Sequence, residues 1–249
     1  MKAGMVIALT GALVFGRLSA ADLSITFNAK SKVMMSSAKN GTEIHYYSAT
    51  RQLTKGVDTG QDQLVDYQQG ISYLIDHKKK TIEKISFDDA AAALDSLNQA
   101  SGSGKGMMAS LFGDPNDCKV EKTGVEQVAG RTCQGWHITV GKLAMDLSAD
   151  PTLKLPIQDA AYARMVRTRA AQFAKAGPMG ATYKRLFEEM AKIKGIPLKT
   201  HMSGLMGMDV ATEAVKIETT PIPANTFNLP DGYKMEDLGK KLQQQLAKQ

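Results

Sequence analysis

The scarcest reactive side chains are two cysteines, Cys118 and Cys133, and four histidines. If the turn between the cysteines is centred near Val125-Glu126, a hairpin sets them face to face. In an exported protein such a pair predicts a structural disulfide, whose loop closure contributes roughly 3 kcal/mol. The spacing is not the C-x-x-C of thiol oxidoreductases, so redox catalysis is not expected. His45, His77, His137 and His201 lie far apart in the chain, without ligand-spaced neighbours and without an H-E-x-x-H motif, which favours solvated or hydrogen-bonded histidine over a metal centre. Gly102-Ser103-Gly104-Lys105-Gly106 looks at first like a phosphate loop. It lacks the leading glycine, and Gly106 stands where the magnesium-binding Ser or Thr belongs. No G-x-S-x-G nucleophile elbow occurs. The chain is therefore expected to be no enzyme and to need no cofactor.

Methionine is a different signal. The chain has 14, against 6% aromatic residues, so its core is aliphatic and thioether-rich. Met34-Met35, Met107-Met108 and Met202, Met206 and Met208 flank turns or strand ends. Flexible, polarizable thioethers suit surfaces that repack around varied apolar partners, and equally suit filling gaps in a core. The stretch Met107–Phe112, after the Gly/Ser-rich break, could form a mobile apolar flap.

These residues sit on a recognisable series of elements. Leu23, Ile25, Phe27 and Ala29 alternate with polar residues, as on a half-buried strand. Ile44 and Tyr46 share a face of Thr42–Ser48. Gln63–Gln68 and Ile71–Ile75 are strand-like, and Asp76 to Lys80 is a polar turn returning into Thr81–Phe87. Ser86 or Asp88 can cap a helix running to about Ala100. Strands return over Cys118–Val140 and Lys142–Ser148. Pro156 opens a helix to about Lys175, and Ala181–Lys194 is a second, with Tyr183, Leu186, Phe187, Met190 and Ile193 on one stripe. Leu198–Ser203 and Met208–Thr219 are strands, and Met235, Leu238, Leu242 and Leu246 mark a terminal helix. Strands joined by hairpins, with helices gathered rather than alternating, predict an α+β domain with an antiparallel sheet.

Residues 1–21 read as a secretory signal peptide: Lys2, an uncharged run from Ala3 to Phe15 too short to span a bilayer, then small residues at Ser19 and Ala21. Residues 22–249 then form one periplasmic, soluble domain. The net charge of +6 is uneven, because the segment 154–199 holds ten basic residues against three acidic ones. Arg164, Arg167, Arg169, Lys184 and Arg185 give its helices a cationic face. Without interleaved aromatics and with export, nucleic acid is not the expected partner. An anionic membrane surface attracts such a face at roughly 1 kcal/mol per residue, although a solvated face is the plainer reading.

Three stretches carry a resemblance. They are Gly70–Asp76 with Thr81–Ile85, then Cys118–Gly124 with Val128–Cys133, and Gly195–Leu198 followed by Val215–Glu218 and Phe227–Tyr233. Together they resemble a secreted bacterial family of unknown function related to the LolA-like and LppX-like lipoprotein and lipid carriers. The resemblance implies a strongly curved antiparallel sheet, a half-barrel, with helices packed on its concave face and an apolar cavity between. It transfers no functional residue, since the matching positions mark strand turns.

The expected function is non-enzymatic sheltering of a hydrophobic ligand, a lipid or the acyl chain of a lipidated protein. Leu23, Ile25, Phe27, Ile44, Tyr46, Tyr73, Ile75, Trp136, Ile138, Met145 and Val210 are the expected cavity lining. The alternative is an envelope interaction or sensor module that meets a membrane-bound partner through the basic helices.

Overall fold

The computed structural model describes residues 22–32, 38–90, 92, 113–157, 177–204 and 207–241. Twelve strands belong to one sheet: β1 Leu23–Lys32, β2 Lys39–Tyr47, β3 Arg51–Gly56, β4 Gln61–Asp66, β5 Ile71–Asp76, β6 Thr81–Ser86, β7 Cys118–Val128, β8 Arg131–Val140, β9 Leu143–Asp150, β10 Ile196–Ser203, β11 Asp209–Glu218 and β12 Lys234–Asp237. Their spatial order is β12-β6-β5-β4-β3-β2-β1-β11-β10-β9-β8-β7. Every pairing is antiparallel except β12 with β6, and the sheet is curved and unclosed. The helix α1, Gly177–Met190, starts four residues before the expected Ala181, with Pro178 in its first turn, where its missing N–H costs nothing.

The run from β3 to β6 has a ten-residue period that composition hides. Strands of six residues begin at Arg51, Gln61, Ile71 and Thr81. Each four-residue turn closes on a left-handed residue: Gly60 at φ 70°, Gly70 at 71° and Lys80 at 52°. The strand-end aspartates pin two of these turns. Asp66 Oδ1 accepts the Gln69 N–H at 2.8 Å, and Asp76 Oδ1 accepts that of Lys79 at 2.9 Å. The latter bond is the main reason the Asp76 carboxyl lies below the ordinary range. Ser86, one of the two caps the sequence offers, caps the helical turn that follows β6, its Oγ accepting the Asp89 N–H at 3.0 Å.

Side chains of residues paired across strands point to one face, so the register sorts the sheet into two. The first face carries Leu23, Ile25 and Phe27 with their partners Tyr47, His45 and Glu43, and also Val65 of β4. Around them Leu23, Ile25, Phe27, Tyr47, Val65, Tyr67, Leu198 and Ala214 form a buried cluster closed by Leu153 and Ile157. Further along this face Leu186 of α1 packs on Ile138, Val140, Leu143, Met145 and Leu147. The second face carries Leu53, Leu64, Ile75 and Ile82, covered by a strap, residues 222–233, that inserts Phe227, Ile222, Leu229 and Tyr233. Asp22 Oδ2 accepts the Ile222 N–H at 2.9 Å and His77 Nδ1 meets the Tyr233 hydroxyl at 2.9 Å, so both ends of the strap are tied.

Two expectations need correction. The turn between β7 and β8 is Ala129–Gly130, both at positive φ, and not Val125-Glu126. Cys118 therefore pairs with Val140 and Cys133 with Glu126. Eight positions of strand separate the two cysteines, roughly 25 Å, whereas a disulfide requires Cα atoms within about 7 Å. Both are free thiols, and burial, then Asp150 and Glu126, push the Cys133 thiol up. Second, Met235 belongs to β12, and the helical turn begins only at Leu238. Among the described residues the architecture is dominated by sheet. The signal peptide, Met34-Met35, most of the 88–100 helix, the 101–112 segment, the greater part of the 156–175 helix, Met206, Leu242 and Leu246 lie outside the described residues.

Candidate ligand-binding face

Five strands place one apolar row on the first face. Val210 of β11 pairs with Met202 of β10, Met202 with Met145 of β9, Met145 with Ile138 of β8, and Ile138 with Val120 of β7. The row opens toward the sheet edge. Ile138 is fully buried, while Val120 on the outermost strand is 37% exposed. Beside it Thr200, Leu147, Trp136 and Lys122 form a second row. Thr200 and Thr212 share a hydroxyl hydrogen bond of 2.8 Å at one end. Lys122 Nζ sits 5.2 Å from the Trp136 ring at the other, a cation–π contact that keeps the indole face covered without sealing the edge. Helix α1 supplies Tyr183, Met190 and nearby Ile193, and the Tyr183 hydroxyl donates to Met208 Sδ at 3.8 Å. Burial raises the Tyr183 phenol above its usual value, so it stays a neutral donor. The result is an aliphatic and thioether surface with no charge in its principal row.

The expected lining residues divide between the two faces. Val210, Met145, Ile138 and Trp136 meet in these two rows. Leu23, Ile25 and Phe27 share their face but belong to the cluster that the chain's own Leu153 and Ile157 close. Ile44, Tyr46, Tyr73 and Ile75 point to the other side, and the strap covers Tyr46, Tyr73 and Ile75. Met202 and Val120 complete the first row and Met208 packs beside it; none of the three is among the expected lining, although alternation within Leu198–Ser203 marks Met202. Of the basic surface, Lys184 and Arg185 are described. Arg185 pairs with Glu189 at 2.8 Å and Lys184 with Glu188 at 3.8 Å, so their charge is answered within α1. Arg164, Arg167 and Arg169 lie outside the described residues.

Across β1, β2, β10 and β11 the second face forms a polar groove of about 790 Å³. Its charges answer one another. Asp209 accepts from Lys30 at 2.8 Å and meets His201 Nε2 at 2.9 Å, and these bonds hold its carboxyl low. Glu126 is lowered by its bonds from Ser148 and Lys199, and it raises Lys199 in turn. The histidines are less scattered in space than in sequence: His137 and His201 flank Asp146 at 2.6 and 3.9 Å. Among the described residues no group of three or more His, Cys, Asp or Glu side chains is arranged to hold a metal ion, nor is any helix long and apolar enough to cross a membrane.

Residues 27–233 match a family described as a domain of unknown function (DUF4412). The chain belongs to that family. The DUF4412 match runs from Phe27 on β1 to Tyr233 at the end of the strap, so it takes in both faces described above. A search of curated proteins finds no match. Among solved structures, the DUF4412 chain is similar to an uncharacterized conserved protein from Thermus thermophilus, with 8% identity and a TM-score of 0.46 over 88% of this chain and 91% of that one. It is also similar to a putative outer membrane lipoprotein-sorting protein domain from Vibrio parahaemolyticus, with 8% identity and a TM-score of 0.36 over 84% and 89%. A third similarity is to the MucA/MucB complex of Pseudomonas aeruginosa, with 11% identity and a TM-score of 0.41. There the overlap covers 85% of this chain but 57% of the other.

Proposed function

We propose that this DUF4412 chain is a non-enzymatic binding protein of the bacterial periplasm that shelters a hydrophobic ligand, a lipid or a lipoprotein acyl chain, against the row from Val210 to Val120. The observation that carries the reading is the continuity of that row across five strands to an open edge. Leu186 of α1 covers the middle of the row at Ile138 and Met145, so a ligand laid along it would take the place of that helix, without breaking a strand pairing. Covering about 200 Å² of such surface contributes about 5 kcal/mol before the cost of moving α1 off it and the entropic cost of association. Met145, Met202 and Met208 would let the surface adjust to chains of different shape. The periplasmic assignment rests on residues 1–21 of the sequence.

Uptake of a fluorescent fatty acid by the purified protein tests the reading, with Met202→Lys as the variant. A charge in the middle of the row should weaken uptake at least about ten-fold, since an unpaired charge resists burial. The near-ultraviolet circular dichroism should remain that of the folded protein. Uptake by the folded variant equal to that of the parent, or no uptake by either, would remove the proposal.

A further inference from the structure

We propose that β7 pairs antiparallel with β7 of a second copy of this chain, about a two-fold axis at Val120. β7 ends the order of the sheet, and among the described residues β8 is its one strand partner. Every residue from Lys119 to Gln127 is exposed. A strand edge left open in this way presents unpaired N–H and C=O groups, a template for another strand. Val120 and Val125 belong to the few large apolar side chains that the described residues leave exposed. Both lie on the first face, through their pairs with Ile138 and Gln134. The pairing uses the edge of the sheet and needs no bound ligand, so it stands apart from the acyl-chain reading.

The charges on β7 select both the occupant and the register. β7 follows β8 regularly from Cys118 to Lys122, and a bulge comes before Val125. A bulge interrupts edge pairing, so a second strand can join the regular stretch. Residue pairs of two kinds alternate along an antiparallel ladder. A two-fold pair of identical strands must therefore set one residue opposite itself. Centred on Lys119, Glu121 or Lys122, the pair sets like charges face to face, which is destabilising. Centred on Cys118, it leaves a single residue of the stretch paired. Centred on Val120, it sets Lys119 of each copy opposite Glu121 of the other and brings the two valines together. Within one chain Lys119 and Glu121 meet at 2.8 Å, with side chains 66% and 49% exposed, so either can turn to a second copy without leaving a buried site. The same register carries the apolar row of the first face across the axis. The regular stretch supplies five residues a side. A standard interface has roughly 20–30, so the dimer is reversible and depends on concentration.

Sedimentation velocity of the purified protein between about 1 μM and about 1 mM tests this. The average mass should rise with concentration toward that of two chains. Lys119→Glu places only carboxylates across the axis, and Glu121→Lys places only ammonium groups there. Both residues are exposed, so both variants should keep the circular dichroism of the folded protein. Each variant alone should associate at least about ten-fold more weakly than the parent, since two attractive cross-strand pairs become repulsive. Mixed in equal amounts, the two variants should associate as the parent does, because the carboxylates of one then face the ammonium groups of the other. A parent that stays monomeric throughout would overturn the proposal and leave the edge to an extended segment of another protein. Either single variant associating like the parent would also overturn it, as would a mixture that associates no better than its components.

Discussion

Replacing Asp150 by Asn keeps the shape of the side chain and removes one interaction. Asp150 is 1% exposed. Its Oδ1 accepts the Thr152 N–H at 2.8 Å, the Thr152 hydroxyl at 2.7 Å and the Leu153 N–H at 3.3 Å. Its Oδ2 accepts Arg131 Nε at 2.5 Å. An asparagine can retain the first three bonds through its carbonyl but turns a donor toward the guanidinium. The loss is one charge-assisted hydrogen bond, about 2 kcal/mol, whereas Asp150→Ala also strands the turn donors and costs about 4 kcal/mol. That turn places Leu153 over the buried cluster of the first face, so the loss is global. Urea unfolding followed through Trp136, the single tryptophan, reads it directly. With a slope near 2 kcal/mol per molar, the asparagine variant should lose about 1 M in midpoint and the alanine variant about twice that. Burial pushes the Asp150 carboxyl up, but the bonds from Thr152 and Arg131 outweigh burial and leave it below 3.8. Its folded value lies below its unfolded one, so its stabilisation is complete above about 3.8 and is lost as pH falls through the folded value. Midpoints of both variants within about 0.3 M of the parent would refute the reasoning, being far smaller than one charged hydrogen bond.

Three further outcomes follow from named contacts. Intact-mass measurement should show no change on reduction, with two thiols titrating after denaturation; a lower mass before reduction, by the two hydrogens a disulfide loses, would mean that the β7–β8 register is wrong. Gly195→Ala meets φ +101° and would bring a Cβ within 2.0 Å of the Asp150 carbonyl oxygen, whereas Gly232→Ala meets φ +74° in open space. The first should cost at least about 3 kcal/mol and the second about 1 kcal/mol by thermal or chemical unfolding, and equal costs would contradict the packing. Lys234 and then Lys241 hold the Glu236 carboxyl down to about 2. Its carbon resonance should titrate there at low salt, and a midpoint at the ordinary value of 4.5 would dissolve the Lys234–Glu236–Lys241 network. This depressed group stabilises above its unfolded pKa and ceases to do so as pH falls toward 2.

Alternation within strands is legible in the sequence, and relations between strands are not. Leu23, Ile25 and Phe27 read as one buried face of β1, and they are. Ile44 and Tyr46 read equally well as one face of β2, yet the β1–β2 register sets His45 and Tyr47 beside Ile25 and Leu23 and turns Ile44 and Tyr46 away. A one-residue change in register exchanges the two faces of a strand, and no periodicity within a strand reports it. The cysteine pairing fails for the same reason, because Ala129–Gly130 is a compact turn that lengthens both arms of the hairpin. β3 escapes a reading by alternation because Arg51–Gly56 buries only Leu53. β12 carries the spacing of a helix in Met235 and Leu238, while the edge of β6 draws the chain into parallel pairing. Strap occupancy of the second face also has no local signal, since Phe227, Leu229 and Tyr233 become a lid only through the fold.

Photolabelling with a diazirine fatty acid, mapped by peptide mass spectrometry, tests the central claim most directly. Labels on Val120, Trp136, Met202 or Val210 are predicted, and they should disappear with excess unlabelled fatty acid. Labels confined to the polar groove of Lys30, Lys199 and His201, or no labelling that competes, would contradict it.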